Sequence, residues 1–163
     1  MNELRDNSEV GELIQYIVIK IDDEQYGINI KFIDNIVRMQ QITRVPKVDD
    51  YLKGVINIRG EIVPVMSVRM KMGLAEDEIT NKSRIIILKT NEGDLVGIIV
   101  DQVNQVLTLD SNNVEKMRYD DKKQNANGSF VSGVGHYDGG LVSILDLDAV
   151  VSEKDVKEAA SAS

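Results

Sequence analysis

Two stretches recur in the same order along this chain, and that duplication restricts its possible folds more than any single motif does. YIVIKIDDEQYGINIKFIDNIV, beginning at Tyr16, can be set above IIILKTNEGDLVGIIVDQVNQVL, beginning at Ile85, with one residue inserted in the turn. Lys20 then falls on Lys89, Gly27 on Gly97, Ile28 on Ile98 and Ile33 on Val103. Further on, Gly54, Val55, Gly60 and Val63 fall on Gly133, Val134, Gly139 and Val142 without a gap. Glycine turns and valine strands recur by chance, but two matches in one order imply two halves, Leu13 to Met72 and Arg84 to Val151. Each half runs hairpin, short helix, loop, hairpin, short helix. Each is too short to close a large sheet, so each is expected to curl into its own short-stranded barrel, leaving a cleft at the pseudo-two-fold between them.

The local signals fill in this frame. Leu13 to Ile21 and Gln25 to Ile30 are apolar runs broken by Asp22-Asp23-Glu24, which reads as a hairpin. Ile30, Ile33, Ile36 and Val37 then switch to helical spacing and predict a short helix up to Met39. Thr43-Arg44-Val45-Pro46 is extended, because the residue before proline is pushed out of the helical region. Asp49 to Lys53 reads as one aspartate-capped helical turn. Gly54 to Leu74 is the central hairpin, reversing at Arg59-Gly60, where glycine supplies the positive φ of a tight turn. Pro64 cannot donate to a ladder, so its strand is expected to be an edge or bulged, with a groove alongside. Ala75 to Ser83 reads as a linker, Tyr119 to Ser129 as a polar loop, residues 1–12 as a flexible arm and 152–163 as a flexible tail.

Composition bounds the chemistry. With two Phe, five Tyr and no Trp in 163 residues, Val, Ile and Leu must fill the core, a bias that favours sheets. There is no cysteine, which removes disulfides, thiolate metal sites and cysteine nucleophiles and suits a reducing compartment. No apolar run approaches the ~20 residues of a membrane span and the N-terminus lacks a signal-peptide layout, so a soluble cytoplasmic protein is expected. A net charge of −8 repels nucleic acid. Basic residues do collect at Arg59, Arg69, Lys71, Lys82 and Arg84, a cluster that could steer an acidic partner.

Catalytic motifs are missing. No phosphate-binding glycine loop, dinucleotide fingerprint, HExxH or GxSxG is present. His136 is the sole imidazole and reads as a surface or turn residue. Asp146 and Asp148 follow a strand and read as a helix cap before a metal pair, and Asp101 likewise as a turn or cap residue. Met66, Met70 and Met72 suit either core or an adaptable surface. No catalytic residue, metal ligand or cofactor is assigned. Arg59 at a hairpin tip offers a planar fork of donors, although by pattern alone a solvated turn arginine is the simpler account.

GVINIRGEIVPV, followed by Val68-Arg69 and a short helix, resembles the signature of the CheW family of bacterial chemotaxis adaptors. The resemblance extends to Gln25-Tyr26-Gly27-Ile28, Ile42 to Pro46, Val96 to Asp101 and Leu145-Asp146, covering residues 13–151 as one domain. It implies a mainly β CheW-like fold of two side-by-side, five-stranded SH3-like β-barrels related by a pseudo-two-fold, with a few short helices. It further implies a scaffold without enzymatic activity, linking the histidine kinase CheA, through its CheW-like regulatory domain, to the cytoplasmic tips of methyl-accepting receptors.

Carried over by position, the receptor-facing surface would use Ile33 and Asn35 on the first helix, Gly54, Asn57 and Arg59 on the central hairpin, and Val100 and Val103 across the cleft. The kinase would meet Ile42, Thr43, Arg44 and Val45. The family commonly has an acidic residue where this chain has Asn35, so Arg59 would turn to Asp34 or face its partner directly. Rival readings are a CheW-like regulatory module of a kinase or of CheV, a small β-barrel hydrolase using Asp101, Asp146 or His136, and a structural oligomer. The purified protein is expected to show no saturable ATP hydrolysis, phosphoryl transfer or metal-dependent turnover. Activity that survives repurification and disappears on mutating Asp101 or Asp146 would favour the hydrolase.

Overall fold

The computed structural model describes residues 11–117, 130–152 and 155. The polar loop expected at Tyr119 to Ser129, residues 1–10 of the arm and most of the tail lie outside the described residues. The chain runs β1 (Leu13–Ile21), β2 (Glu24–Asn29), β3 (Ile33–Arg38), β4 (Leu52–Ile58), β5 (Glu61–Ser67), α1 (Val68–Lys71) and β6 (Arg84–Lys89). It continues with β7 (Leu95–Val100), β8 (Gln102–Asp110), β9 (Val114–Lys116), β10 (Val131–Tyr137), β11 (Gly140–Leu145) and α2 (Leu147–Val150).

Among the described residues these strands form two sheets, ordered β8-β1-β2-β11-β10-β9 and β3-β6-β7-β5-β4. The expectation that each half closes its own barrel is overturned. The first sheet takes β1 and β2 from the first half and β8 to β11 from the second, while the other takes β3 to β5 from the first and β6 and β7 from the second. The halves have exchanged hairpins. Under the duplication the two strand orders correspond element by element, with β9 matched by a lone bridge from Thr43 to Val55. That short β9 makes the first sheet six-stranded where five strands were expected.

Three cores explain the apolar patterning. Ile56, Ile58, Val63, Val65, Ile85, Ile87 and Ile99 fill the interior of the five-stranded sheet, and Tyr16, Val18, Leu109, Val142 and Ile144 fill the other. A larger core between the sheets contains Ile19, Ile28, Met66, Val68, Ile86, Ile98 and Val100. In β6, Ile85 and Ile87 serve one core while Ile86 and Leu88 serve the other. This two-sided burial is why the strand reads as an unbroken apolar run rather than an alternation.

Several local expectations are corrected. The helix expected from Ile30 to Met39 is one 3-10 turn, Ile30–Phe32, followed by strand β3. Half-buried Ile33, Asn35 and Val37 alternate there with exposed Asp34, Ile36 and Arg38, and β3 occupies the outer backbone edge of β6. Isoleucines at 30, 33 and 36 fit a period of three only by coincidence, and their branching suits the strand. Asp49 to Lys53 forms a turn and the start of β4, not a helix. β5 is an inner strand of its sheet, flanked by β4 and β7, so Pro64 does not mark an edge strand. The ladder from β5 to β7 starts at Val65, one residue beyond the proline, which leaves that side unpaired at Pro64 itself. Gly60 has the expected positive φ, 83°, but at the equivalent turn Gly140 carries it, at 130°, rather than Gly139.

Gly54 does more than supply strand backbone. Its φ is 142° and an added Cβ would lie 2.1 Å from the carbonyl oxygen of Thr43, whereas at Gly60 (φ 83°) an added Cβ meets nothing within 4 Å. Gly60→Ala should therefore cost about 1–2 kcal/mol, the left-handed penalty alone. Gly54→Ala adds backbone overlap and should cost roughly 3 kcal/mol or more. Chemical denaturation of both variants checks the ranking, and equal losses would refute it.

Candidate functional site

The Arg59-Gly60 reversal joins β4 to β5 through two residues that both have positive φ, 51° and 83°. This is the geometry of a type I′ turn, in which asparagine or glycine is preferred at the first position. An arginine held there costs about 1–2 kcal/mol. The turn is fastened by Asn57, whose Oδ1 accepts from the Gly60 N–H at 2.9 Å. Arg59 Nη2 donates to Asp34 Oδ2 at 3.0 Å, so of the two alternatives the chain takes the internal pairing with Asp34. Because β3 and β4 lie at opposite ends of the strand order, this pair spans the two edges of the five-stranded sheet. With Arg59 68% exposed the pair is worth at most ~1 kcal/mol.

The other expected residues fall in different environments. Asn35 is half-buried and its Oδ1 has no hydrogen-bond partner. Ile33 and Val103 are half-buried and pack on the inter-sheet core. Val100 has no accessible surface, so the expectation that it touches a partner is corrected: it is core. Gly54 is likewise enclosed, and its role is to let Thr43 approach. Thr43 exchanges two backbone bonds of 2.8 Å with Val55, which stitches the Ile42 to Val45 segment to the outside of β4. Thr43 and Arg44 remain exposed, Ile42 packs on the core of the five-stranded sheet, and Val45 is buried. Arg44, Val45, Lys47, Lys53 and Met70 line a hollow of about 460 Å³ beside that segment.

Of the anticipated basic cluster, Arg69, Lys71 and Arg84 are engaged in internal contacts. Arg69 Nη1 reaches Asp101 Oδ2 at 3.0 Å and Asp22 Oδ1 at 3.5 Å, and Asp101 also accepts from the Asp22 N–H at 2.8 Å. Asp101 thus caps a turn, as its sequence position suggested. Arg84 donates to the carbonyls of Asn81 and Ser83. Lys71 pairs with Asp155, which also accepts from Tyr51 Oη and from the Ser152 N–H. His136 in β10 is half-exposed, 3.7 Å from Glu115. Met66 and Met72 are core, and Met70 lines the hollow by Val45.

Asp155 and Asp77 are features the sequence reading missed. Asp155 is only 2% exposed, although it was assigned to a flexible tail. Its signal was present: Ser152 and Asp155 cap each other's backbone N–H groups at the spacing of a capping box. Burial pushes the Asp155 carboxyl up, but the bonds from Lys71, Tyr51 and Ser152 outweigh it and hold its pKa below the ordinary value. Tyr51 is pushed up, first by burial and then by its bond to Asp155. Asp77 lies in the segment read as a linker, yet it accepts from Ser67 Oγ and its Oδ1 is buried without a partner. Burial raises its pKa, a tendency the Ser67 bond only partly offsets.

What the fold presents is a two-sheet β module whose accessible features are strand edges, a strained turn and hollows between elements. Comparison identifies its family: the profile described as CheW-like domain matches residues 15–155, and the chain belongs to that family. The chemotaxis protein CheW of Bacillus subtilis is 32% identical over 143 residues, 88% of this chain and 90% of that one. Its counterpart in Thermotoga maritima is 32% identical over 158 residues, 97% of this chain and 99% of that one. The crystal structure of the scaffolding protein TtCheW from Thermoanaerobacter tengcongensis superimposes with a TM-score of 0.73 at 28% identity, covering 83% of this chain and 86% of its own. The chain is thus similar to CheW chemotaxis proteins over most of their length.

Buried Asp155 and half-buried Asp77 respond to pH with opposite sign. Asp155, lowered from 3.8, stabilises fully above that value and loses the contribution as pH falls through its lower folded pKa. Asp77, raised from 3.8, contributes stability that is complete below 3.8 and is lost as pH rises through its raised folded pKa. Asp155→Asn should therefore cost about 3 kcal/mol at neutral pH by leaving Lys71 without its counter-ion, with the deficit shrinking in acid below the ordinary carboxylate value. Asp77→Asn should be neutral or stabilising at neutral pH and lose that advantage on acidification. Melting temperatures across this range check both, and a pair of variants that shift in the same direction would refute the assignment.

Proposed function

We propose that this CheW-family chain is a cytoplasmic, non-catalytic adaptor that couples methyl-accepting chemotaxis receptors to a CheA-like histidine kinase. The receptor side comprises the accessible parts of the expected set: Ile33 and Val103 on either side of the inter-sheet core, and Asn57 and Arg59 at the β4–β5 turn. The kinase side is the Ile42 to Val45 segment, where exposed Thr43 and Arg44 flank the hollow lined by Val45 and Met70. Reading the chain as a regulatory module of CheV is not favoured, because two CheW relatives match at 32% identity and the CheV3 protein of Helicobacter pylori at 22%.

The observation that carries this proposal is Arg59. A residue held at φ 51°, where asparagine or glycine would be more stable, and left 68% exposed in a pair worth little, is poorly explained by folding. A contact role explains it: the strain and the Asp34 bond hold a guanidinium at the sheet edge, ready for a partner carboxylate or helix face.

The experiment separates stability from coupling. Arg59→Asn should melt at or above the parent because it suits the turn, and Arg59→Ala should change stability by no more than ~1 kcal/mol. Both should retain kinase binding yet lose most receptor-dependent kinase activation in a reconstituted assay, a binding deficit of ~2–5 kcal/mol. Arg59→Lys should recover little, since a bidentate contact needs the planar fork. A variant that is markedly unstable and loses both partners together would make Arg59 an internal strut.

A further inference from the structure

The duplication creates two equivalent recesses, and one is filled from within. It lies where the β1–β2 turn, the β7–β8 junction and α1 meet, and the Arg69 guanidinium occupies it, bonded to Asp101 at 3.0 Å and near Asp22 at 3.5 Å. The other lies where the matching elements meet: the β6–β7 turn, the β2–β3 junction and α2. The gapless match of Gly54 to Gly133 sets Arg69 against Asp148. Where Arg69 bridges the first recess, the described residues leave a cavity of about 480 Å³ in the second.

The walls of this cavity combine two characters. Phe32, Leu88 and Leu147 supply apolar surface, and the lining also carries three exposed carboxylates, Glu92, Asp94 and Asp148, with one exposed ammonium, Lys89. Among the described residues Glu92, Asp94 and Asp148 enter no ion pair. None of Ile33, Asn57, Arg59 or Val103 lines it, so it stands apart from the surface proposed for receptors.

We propose that this cavity is a docking site for an arginine side chain projecting from a segment of a partner protein, with an apolar residue next to it in sequence. Guanidinium fits for three reasons. It is weakly hydrated for a cation, its fork can engage two carboxylates at once, and its aliphatic stem packs on apolar walls. The filled recess takes an arginine in cis, carried in by a backbone element between two aspartates; the alignment sets the nearer of these, Asp101, against Lys31, so in the second recess the carboxylates come from Glu92, Asp94 and Asp148 instead. The volume lies within the ordinary range of ligand sites, leaving space for an adjoining apolar side chain.

The test titrates the intact protein with acetyl-Leu-Arg-Leu-amide, its citrulline analogue and argininamide, followed by backbone amide NMR. The expected result is saturable shifts at Thr90 to Asp94 and Leu147 to Val151, at least tenfold weaker with citrulline and with argininamide. Asp148→Arg should abolish binding by removing one carboxylate and placing a fixed cation at the cavity, and Glu92→Gln with Asp94→Asn should weaken it several-fold, with melting temperatures showing that each variant is folded. Shifts that do not saturate, citrulline binding as well as arginine, or undiminished binding by folded Asp148→Arg would overturn the proposal. Argininamide binding as tightly as the tripeptide would overturn the partner-segment assignment in favour of a small-molecule site.

Discussion

Two short parallel ladders hold this structure together, Val65 to Ser67 against Gly97 to Ile99 and Ser143 to Ile144 against Tyr26 to Gly27. Each is the seam where a hairpin from one half of the chain joins a hairpin from the other. Without the seams, β2 and β5 would be bare edges and no sheet would exceed a hairpin and a flanking strand. The seams also fix the inter-sheet core, because Met66 and Ile98 sit directly opposite each other across one of them and both are fully buried in that core. The arginine clasp at Asp22 and Asp101, the β4–β5 turn and the open recess all take their positions from this frame.

The duplication was legible because its carriers, glycine turns and Val/Ile runs, respond to local physics. Whether a hairpin stays with its own half was not legible. Both pairings satisfy the same apolar pattern, and the choice between them is made by three-dimensional packing. The helix assigned over Ile30 to Met39 failed for a related reason: isoleucine at every third position is compatible with either period, and the outer edge of β6 decided it. The Arg59 environment was half legible. Asp34 was identified as an alternative partner, but that the pair spans the sheet's opposite edges depends on the strand order. Val100 was misplaced because a position aligned with surface residues gives no account of its own burial.

The two halves share a frame and have diverged in polar detail. Arg69 stands where the other half has Asp148, and the Arg59-Gly60 turn stands where the other has Asp138-Gly139, with the positive φ displaced to Gly140. Three-core packing tolerates such changes because Arg59, Arg69, Asp138 and Asp148 all lie outside it. Charge and strain can therefore differ between equivalent sites while the backbone frame is kept. One recess becomes an internal clasp and its twin an open cavity.

Hairpin exchange also sets the order in which the chain can acquire its structure. During synthesis β1 to β5 emerge first, yet the partner of β5 is β7, and β2 waits for β11, more than a hundred residues later in the chain. Loop closure over such separations is slow, and unpaired edges meanwhile invite pairing with other chains. The five-stranded sheet can close once β7 is made, whereas the other cannot be completed until Ser143 and Ile144 have been added. Folding on the ribosome would thus run in two stages, with the second sheet reaching its final form only as the last strand leaves the exit tunnel.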